Sequence, residues 1–137
     1  MPHPLVDQLR FARAEFMRGF EGVSDEDARK RLGPMNCMSW NIAHLAYHEQ
    51  AYFLQIIQGQ VVVPEVIEWA GHGKPASQPP LEAAVDAWKR VTAAADPYLD
   101  TLTTEKLLEV PLRKGKPFSH NVGSMLQRVI YHYFYHT

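Results

Sequence analysis

Between Asn36 and Gln58 the chain carries neither glycine nor proline, while Gly33-Pro34 stands before this stretch and Gly59 just after it. Asn36 can accept a hydrogen bond from a first-turn N–H, and a glycine past the last turn suits a left-handed helix stop. The stretch reads as one long helix. Within it Ile42, Ala46, Phe53 and Ile57 form an apolar stripe, and Trp40, His44, His48, Ala51 and Gln55 fall on nearly the opposite side. A helix with apolar or aromatic residues on both sides is expected to be buried on more than one face.

The flanking segments supply helical neighbours. PLVDQLRFARAEFMRGF spaces Leu5, Leu9, Ala12, Phe16 and Phe20 helically and predicts a helix over residues 4 to 20. In GVSDEDARKRLGPM, Ser24 can cap a short turn through Ala28 to Leu32 before Gly33-Pro34 ends it. Residues 59 to 80 hold three Gly and four Pro, so an irregular excursion is expected there. A third helix over 81 to 98 turns Ala84, Trp88, Val91 and Ala95 inward, with Pro97 able to bend its last turn. PLRKGKPFSHN predicts a short extended piece or hairpin. The last helix begins near Asn121 and places Met125, Val129, His132 and His136 on one side, with Leu126, Ile130 and Tyr133 beside them. Four helices without a convincing set of strands predict an all-α bundle.

Composition narrows the class. At 137 residues, 46% of them hydrophobic, the chain suits a single domain over residues 1–137. A formal net charge of −1, with acids and bases mixed along the chain, provides no basic stripe to follow a phosphate backbone, so no nucleic-acid partner is expected. No apolar run approaches the roughly 20 residues of a membrane span, and the N-terminus lacks a signal peptide's apolar segment. The single Cys37 cannot form an internal disulfide. Together these predict a cytoplasmic protein.

The chain closes on YHYFYHT, with two histidines four residues apart among four aromatic rings. Three readings compete: core residues with satisfied ring nitrogens, a solvated stripe, or two ligands of one metal ion. Histidines at i and i+4 lie on one helix face a turn apart, a geometry that can chelate. A second such pair, His44 and His48, sits on the long helix. Burying four imidazoles in an apolar bundle requires partners for each, whereas a divalent ion satisfies three ring nitrogens at once. A hydrogen-bonded aromatic core is the alternative.

Two motifs, WNIAHLAYHEQ at 40 to 50 and HYFYH at 132 to 136, resemble the DinB/YfiT-like family of four-helix metalloproteins, which includes the N-terminal domain of ergothioneine-forming sulfoxide synthases. The resemblance covers nearly the whole chain. It implies an up-down-down-up four-helix bundle and a three-histidine site of His44, His132 and His136. His48 matches a non-ligand position and is expected to line the pocket, with Trp40, Tyr47 and Trp69. Family members usually continue the last helix past HxxxH, so the resemblance implies a C-terminally truncated form and a frayed site at His136. Glu49 has two readings, an acceptor behind a ligand imidazole or a solvated residue. Trp69 and His72 are expected to cover the pocket or anchor the loop. Cys37 is expected to be a small buried residue.

Three imidazoles would leave a divalent ion (Zn, Ni, Fe or Mn) with open positions, as in catalytic sites. Relatives with assigned activities include S-transferases using low-molecular-weight thiols and a thiol-dependent isomerase. The resemblance therefore implies thiol transfer to a small electrophile. A metal-dependent hydrolase and a non-catalytic metal-binding stress-response bundle are the rivals. Two-sided apolar stripes on the long helix, and pairing among relatives, predict a homodimer.

Overall fold

Helix α1 (Pro4–Arg18) starts where the sequence makes starting cheap: Pro4 has no N–H to satisfy, and His3 Nδ1 accepts from the Leu5 N–H at 3.1 Å. Val6, Leu9, Ala12 and Phe16 form its buried face. The computed structural model describes residues 1–137. Helix α2 (Asp25–Arg29) is capped by Ser24, whose hydroxyl accepts from the Asp27 N–H.

Helix α3 (Met38–Glu49) begins one residue later than its sequence suggests. Cys37 occupies the cap position without a side-chain cap bond, so Asn36 does not cap the helix. The Cys37 thiol is buried and turns to Ser39 Oγ and the Ser77 carbonyl. Past Glu49 the winding widens into a π-helical segment, Gln50–Ile56. Buried Gln50 accepts from the Val62 and Val63 N–H groups and donates to the Val63 carbonyl at 2.9 Å, drawing the following loop onto the helix. The wider winding rotates the later residues. Gln55 is exposed, and Tyr52 and Ile56 continue the face of His44 and His48.

The excursion after Gly59 contains α4 (Glu65–Ala70), which rests on α3. Helix α5 (Leu81–Leu99) absorbs Pro97 in its last turn and buries Ala84, Ala87, Val91, Thr92, Ala95 and Leu99. The most extensive helix pairing is α3 with α5, followed by α1 with α7. Ala43 and Ala46 on α3 and the alanines of α5 are small enough to let backbones approach closely. Helix α6 (Thr104–Leu107) precedes a two-stranded antiparallel hairpin, β1 (Leu112–Arg113) and β2 (Lys116–Pro117). Lys114 and Gly115 turn it with φ of 52° and 75°, the positive pair that a tight two-residue hairpin needs.

Helix α7 (Val122–Tyr135) is capped by Asn121, whose Oδ1 accepts from the Ser124 N–H at 2.8 Å. Its end is not frayed. The His136 N–H reaches the His132 carbonyl, and Thr137 Oγ1 donates to the Tyr133 carbonyl at 2.8 Å. A cluster of 26 buried residues joins α1, α3, α5 and α7, giving the all-α bundle. No helix is long and apolar enough to cross a membrane. Both sides of α3 are covered within the bundle, so the apolar surface left over lies elsewhere: Tyr131, Phe134 and Tyr135 on α7 are exposed.

Candidate metal centre

His44 and His48 project from α3, and His132 from α7, with His136 closing the end of α7. The ring centroids of His132 and His136 are 4.6 Å apart, and that of His44 lies 4.8 Å from the first and 5.6 Å from the second. One nitrogen from each of these three rings falls within 4.8 Å of the others. Two helices thus converge three donors on one point. A tetrahedral ion with nitrogens about 2.0–2.1 Å away would draw the more distant donors inward and spread the closest pair slightly.

The hydrogen bonds behind the rings decide which nitrogen each one offers. His44 Nδ1 lies 2.7 Å from the Ala70 carbonyl oxygen, which can only accept, so Nδ1 carries the proton and Nε2 keeps its lone pair. Trp40 stacks on the same ring at 4.4 Å and 14° and holds its plane. His132 and His136 meet Nε2 to Nε2 at 2.9 Å, and His132 Nδ1 meets His48 Nδ1 at 2.8 Å. For both Nε2 atoms to donate to one cation, His132 must carry its proton on Nδ1 and give it to His48. This is the usual arrangement around a ligating histidine, in which the outer N–H is held by an acceptor. His48 therefore stands behind His132, one turn from the donor set.

All four rings resist protonation. Burial pushes His132 down to about 3, helped by the neighbouring imidazoles, and pushes His48 and His136 down to about 4. His44 is lowered by the same desolvation, partly offset by its bond to Ala70. At neutral pH the cluster is an array of uncharged imidazoles with lone pairs, the protonation state a metal requires. The donor set fits a divalent ion.

A cavity of about 540 Å³ opens beside the cluster, lined by His44, His48, His132, Tyr47, Tyr52 and His72 among others. Of the sequence's pocket residues, His48 and Tyr47 are on its wall; Trp40 instead backs His44. Trp69 does not line it. Its ring packs on the core and its carbonyl accepts from Ser77 Oγ at 2.6 Å, a loop-anchoring position. His72 from the same loop does reach the cavity. Glu49 takes neither expected role: it is fully buried, held by Arg13 through both carboxylate oxygens, and accepts from the Tyr133 hydroxyl. Arg13 also reaches Asp96 at 2.7 Å.

A family model described as the DinB superfamily matches residues 8–137. The chain belongs to the DinB superfamily. No curated protein matches it. In this DinB-superfamily member sequence reasoning missed Arg113 and Arg128 on the cavity wall, and Tyr52 with them. Arg128 lies four residues before His132, so helical spacing alone would have found it, whereas Tyr52 lies in the π-helical segment, where the wider winding sets its direction. Arg113 has no such signal, since only the packing of the hairpin brings it to the cavity.

Proposed function

We propose that this DinB-superfamily protein is a cytoplasmic, homodimeric, metal-dependent S-transferase that joins a low-molecular-weight thiol to a small electrophile. The observation that carries the reading is the donor set itself, three neutral imidazole nitrogens from two helices beside an accessible cavity. Zn, Ni, Fe or Mn would be held by His44, His132 and His136. When bound, such an ion supplies Lewis acidity that lowers the pKa of a thiol near neutral pH.

The chain's own groups do the rest. The Ala70 carbonyl and His48 fix the tautomers of His44 and His132, keeping the lone pairs aimed inward. Tyr47, Tyr52 and Tyr131 narrow the cavity and exclude water from the reacting sulfur. His72, the wall imidazole not bonded to another ring, takes the proton that the thiol releases. The test is thiol-dependent turnover of monobromobimane by metal-loaded protein, abolished by chelator and restored by metal. Ester hydrolysis that needs metal but no thiol would favour the hydrolase, and bound metal without turnover of either substrate would leave a binding protein.

A further inference from the structure

The cavity wall has a one-sided charge. It carries Arg113 from β1 and Arg128 from α7, and no aspartate or glutamate. The two guanidinium groups are also exceptional within the chain, which has eight arginines. Arg10, Arg13, Arg18, Arg29 and Arg90 are paired with carboxylates, and Arg31 donates to the Met35 and Pro34 carbonyls. The two without an acceptor in the protein are the two that face the cavity.

Arg113 is nonetheless held in place. Its guanidinium lies 6.0 Å from the Phe118 ring centroid, and Phe118 packs edge-on against Tyr52 at 5.9 Å. Arg128 stands one helical turn before His132, on the same side of α7. Both charges act on the Tyr52 hydroxyl, offsetting part of the upward push that burial gives it, so the two fields overlap inside the cavity. Unpaired guanidinium groups on the wall of a concave site suit a small anion such as a carboxylate, which they can bind bidentately and draw in from solution.

We propose that Arg113 and Arg128 form a carboxylate subsite, and that the thiol taken by this protein is a small anion whose carboxylate rests there while its sulfur faces the three imidazoles. The position of the sulfur rests on the proposed transferase reading; the carboxylate subsite does not. A volume of about 540 Å³ accommodates such a molecule within the usual range of small-ligand sites.

The test uses three thiols of similar length and different charge: 3-mercaptopropionate, 2-mercaptoethanol and cysteamine. Co(II)-loaded protein of verified metal content is titrated with each, reading the thiolate-to-cobalt charge-transfer band. The anion should bind about tenfold more tightly than the neutral thiol, although cysteamine has the most acidic sulfhydryl. Arg113→Gln and Arg128→Gln should each remove most of that preference and leave 2-mercaptoethanol unchanged; both residues are exposed, so folding should be unaffected. A parallel calorimetric titration of chelator-treated protein with 3-mercaptopropionate reads the carboxylate alone. Equal affinities for all three thiols, unaltered in both variants, overturn the subsite and leave the metal–thiol reading standing. No charge-transfer band with any thiol, together with arginine-dependent calorimetric binding, sinks the metal–thiol reading and keeps the subsite. Absence of both signals overturns both.

Discussion

Replacing Glu49 with leucine should be among the most damaging single changes in this protein, and the reason is charge rather than packing. Glu49 is fully buried and the Arg13 side chain is only 6% exposed. Removing one member of such a pair costs about 3–5 kcal/mol, because the other charge is left in a poorly solvating interior. Asp96 lies 2.7 Å from Arg13 but is itself 40% exposed, which holds the loss toward the lower end without cancelling it. The Tyr133 hydroxyl would lose its only acceptor while still accepting from Trp88 Nε1 at 2.7 Å, adding about 1–3 kcal/mol. The total, about 4–7 kcal/mol, approaches the whole stability of an ordinary domain. The double variant Arg13→Met with Glu49→Leu should recover about 3 kcal/mol of this, since no unpaired charge remains. Urea unfolding of metal-free protein followed by tryptophan fluorescence measures each step. A loss under about 1 kcal/mol in Glu49→Leu, or a double variant no more stable than that single one, would refute the reasoning.

The centre itself supports four further tests. His44→Ala should abolish stoichiometric metal binding by elemental analysis, whereas His48→Ala should keep the metal and weaken it about 10–100-fold, the usual effect of removing the acceptor behind a ligand; equal loss in both would mean that His48 is a ligand. A Cβ at Gly71 would lie 2.5 Å from the Ile67 carbonyl oxygen, so Gly71→Ala must shift the backbone beside Ala70, and metal affinity should fall although residue 71 offers no donor of its own; unchanged affinity would show that the Ala70 carbonyl does not hold His44. Since the folded state lowers His48, His132 and His136 from about 6.5 to about 4, 3 and 4, protons favour the unfolded chain as pH falls through that window. The urea midpoint of metal-free protein should therefore drop between pH 7.5 and pH 5, and a midpoint that holds or rises would contradict the burial of the cluster. Chelator at pH 7.5 should accelerate hydrogen exchange at the end of α7 in a sample that contained metal beforehand; unchanged protection there would dismiss the three-histidine site.

The bundle was legible because its helices are bounded by strong local signals: Pro4, Ser24, Gly59 and Asn121 each act where their chemistry predicts. The three candidate ligand histidines were legible through family motifs, not through spacing, since i and i+4 pairs also occur in solvated and core helices. What escaped were features set by the partner of a residue. Glu49 looks like any surface acid in sequence, and only Arg13, 36 residues earlier, makes its burial possible. Gln50 gives no sign that it will widen the helix, because the loop amides it satisfies lie beyond Gly59. Asn36 has the better capping side chain, yet Cys37 takes the position while its own sulfur is drawn toward Ser77.

The Glu49 carboxylate and the Tyr133 hydroxyl explain how a bundle can carry four half-buried imidazoles without depending on a metal to hold its helices. Successive residues on a helix point about 100° apart, so His48 and Glu49 on α3 leave in different directions, as do His132 and Tyr133 on α7. One direction carries imidazoles toward the cavity. The other carries the Glu49 carboxylate and the Tyr133 hydroxyl into the core, where Glu49 accepts from Tyr133 and from Arg13 of α1. The same level of the same two helices is thus bridged twice, once by a permanent hydrogen-bonded network and once by the ring contact of His48 with His132. With the network fixing the helix pair, the donor nitrogens are set near their final positions before any ion arrives, and binding energy need not be spent on assembling the bundle. The exception is His136, beyond the last residue of α7 and held only by the final turn. It is the one ligand whose order a metal can improve, which confines the effect of chelation to the end of that helix.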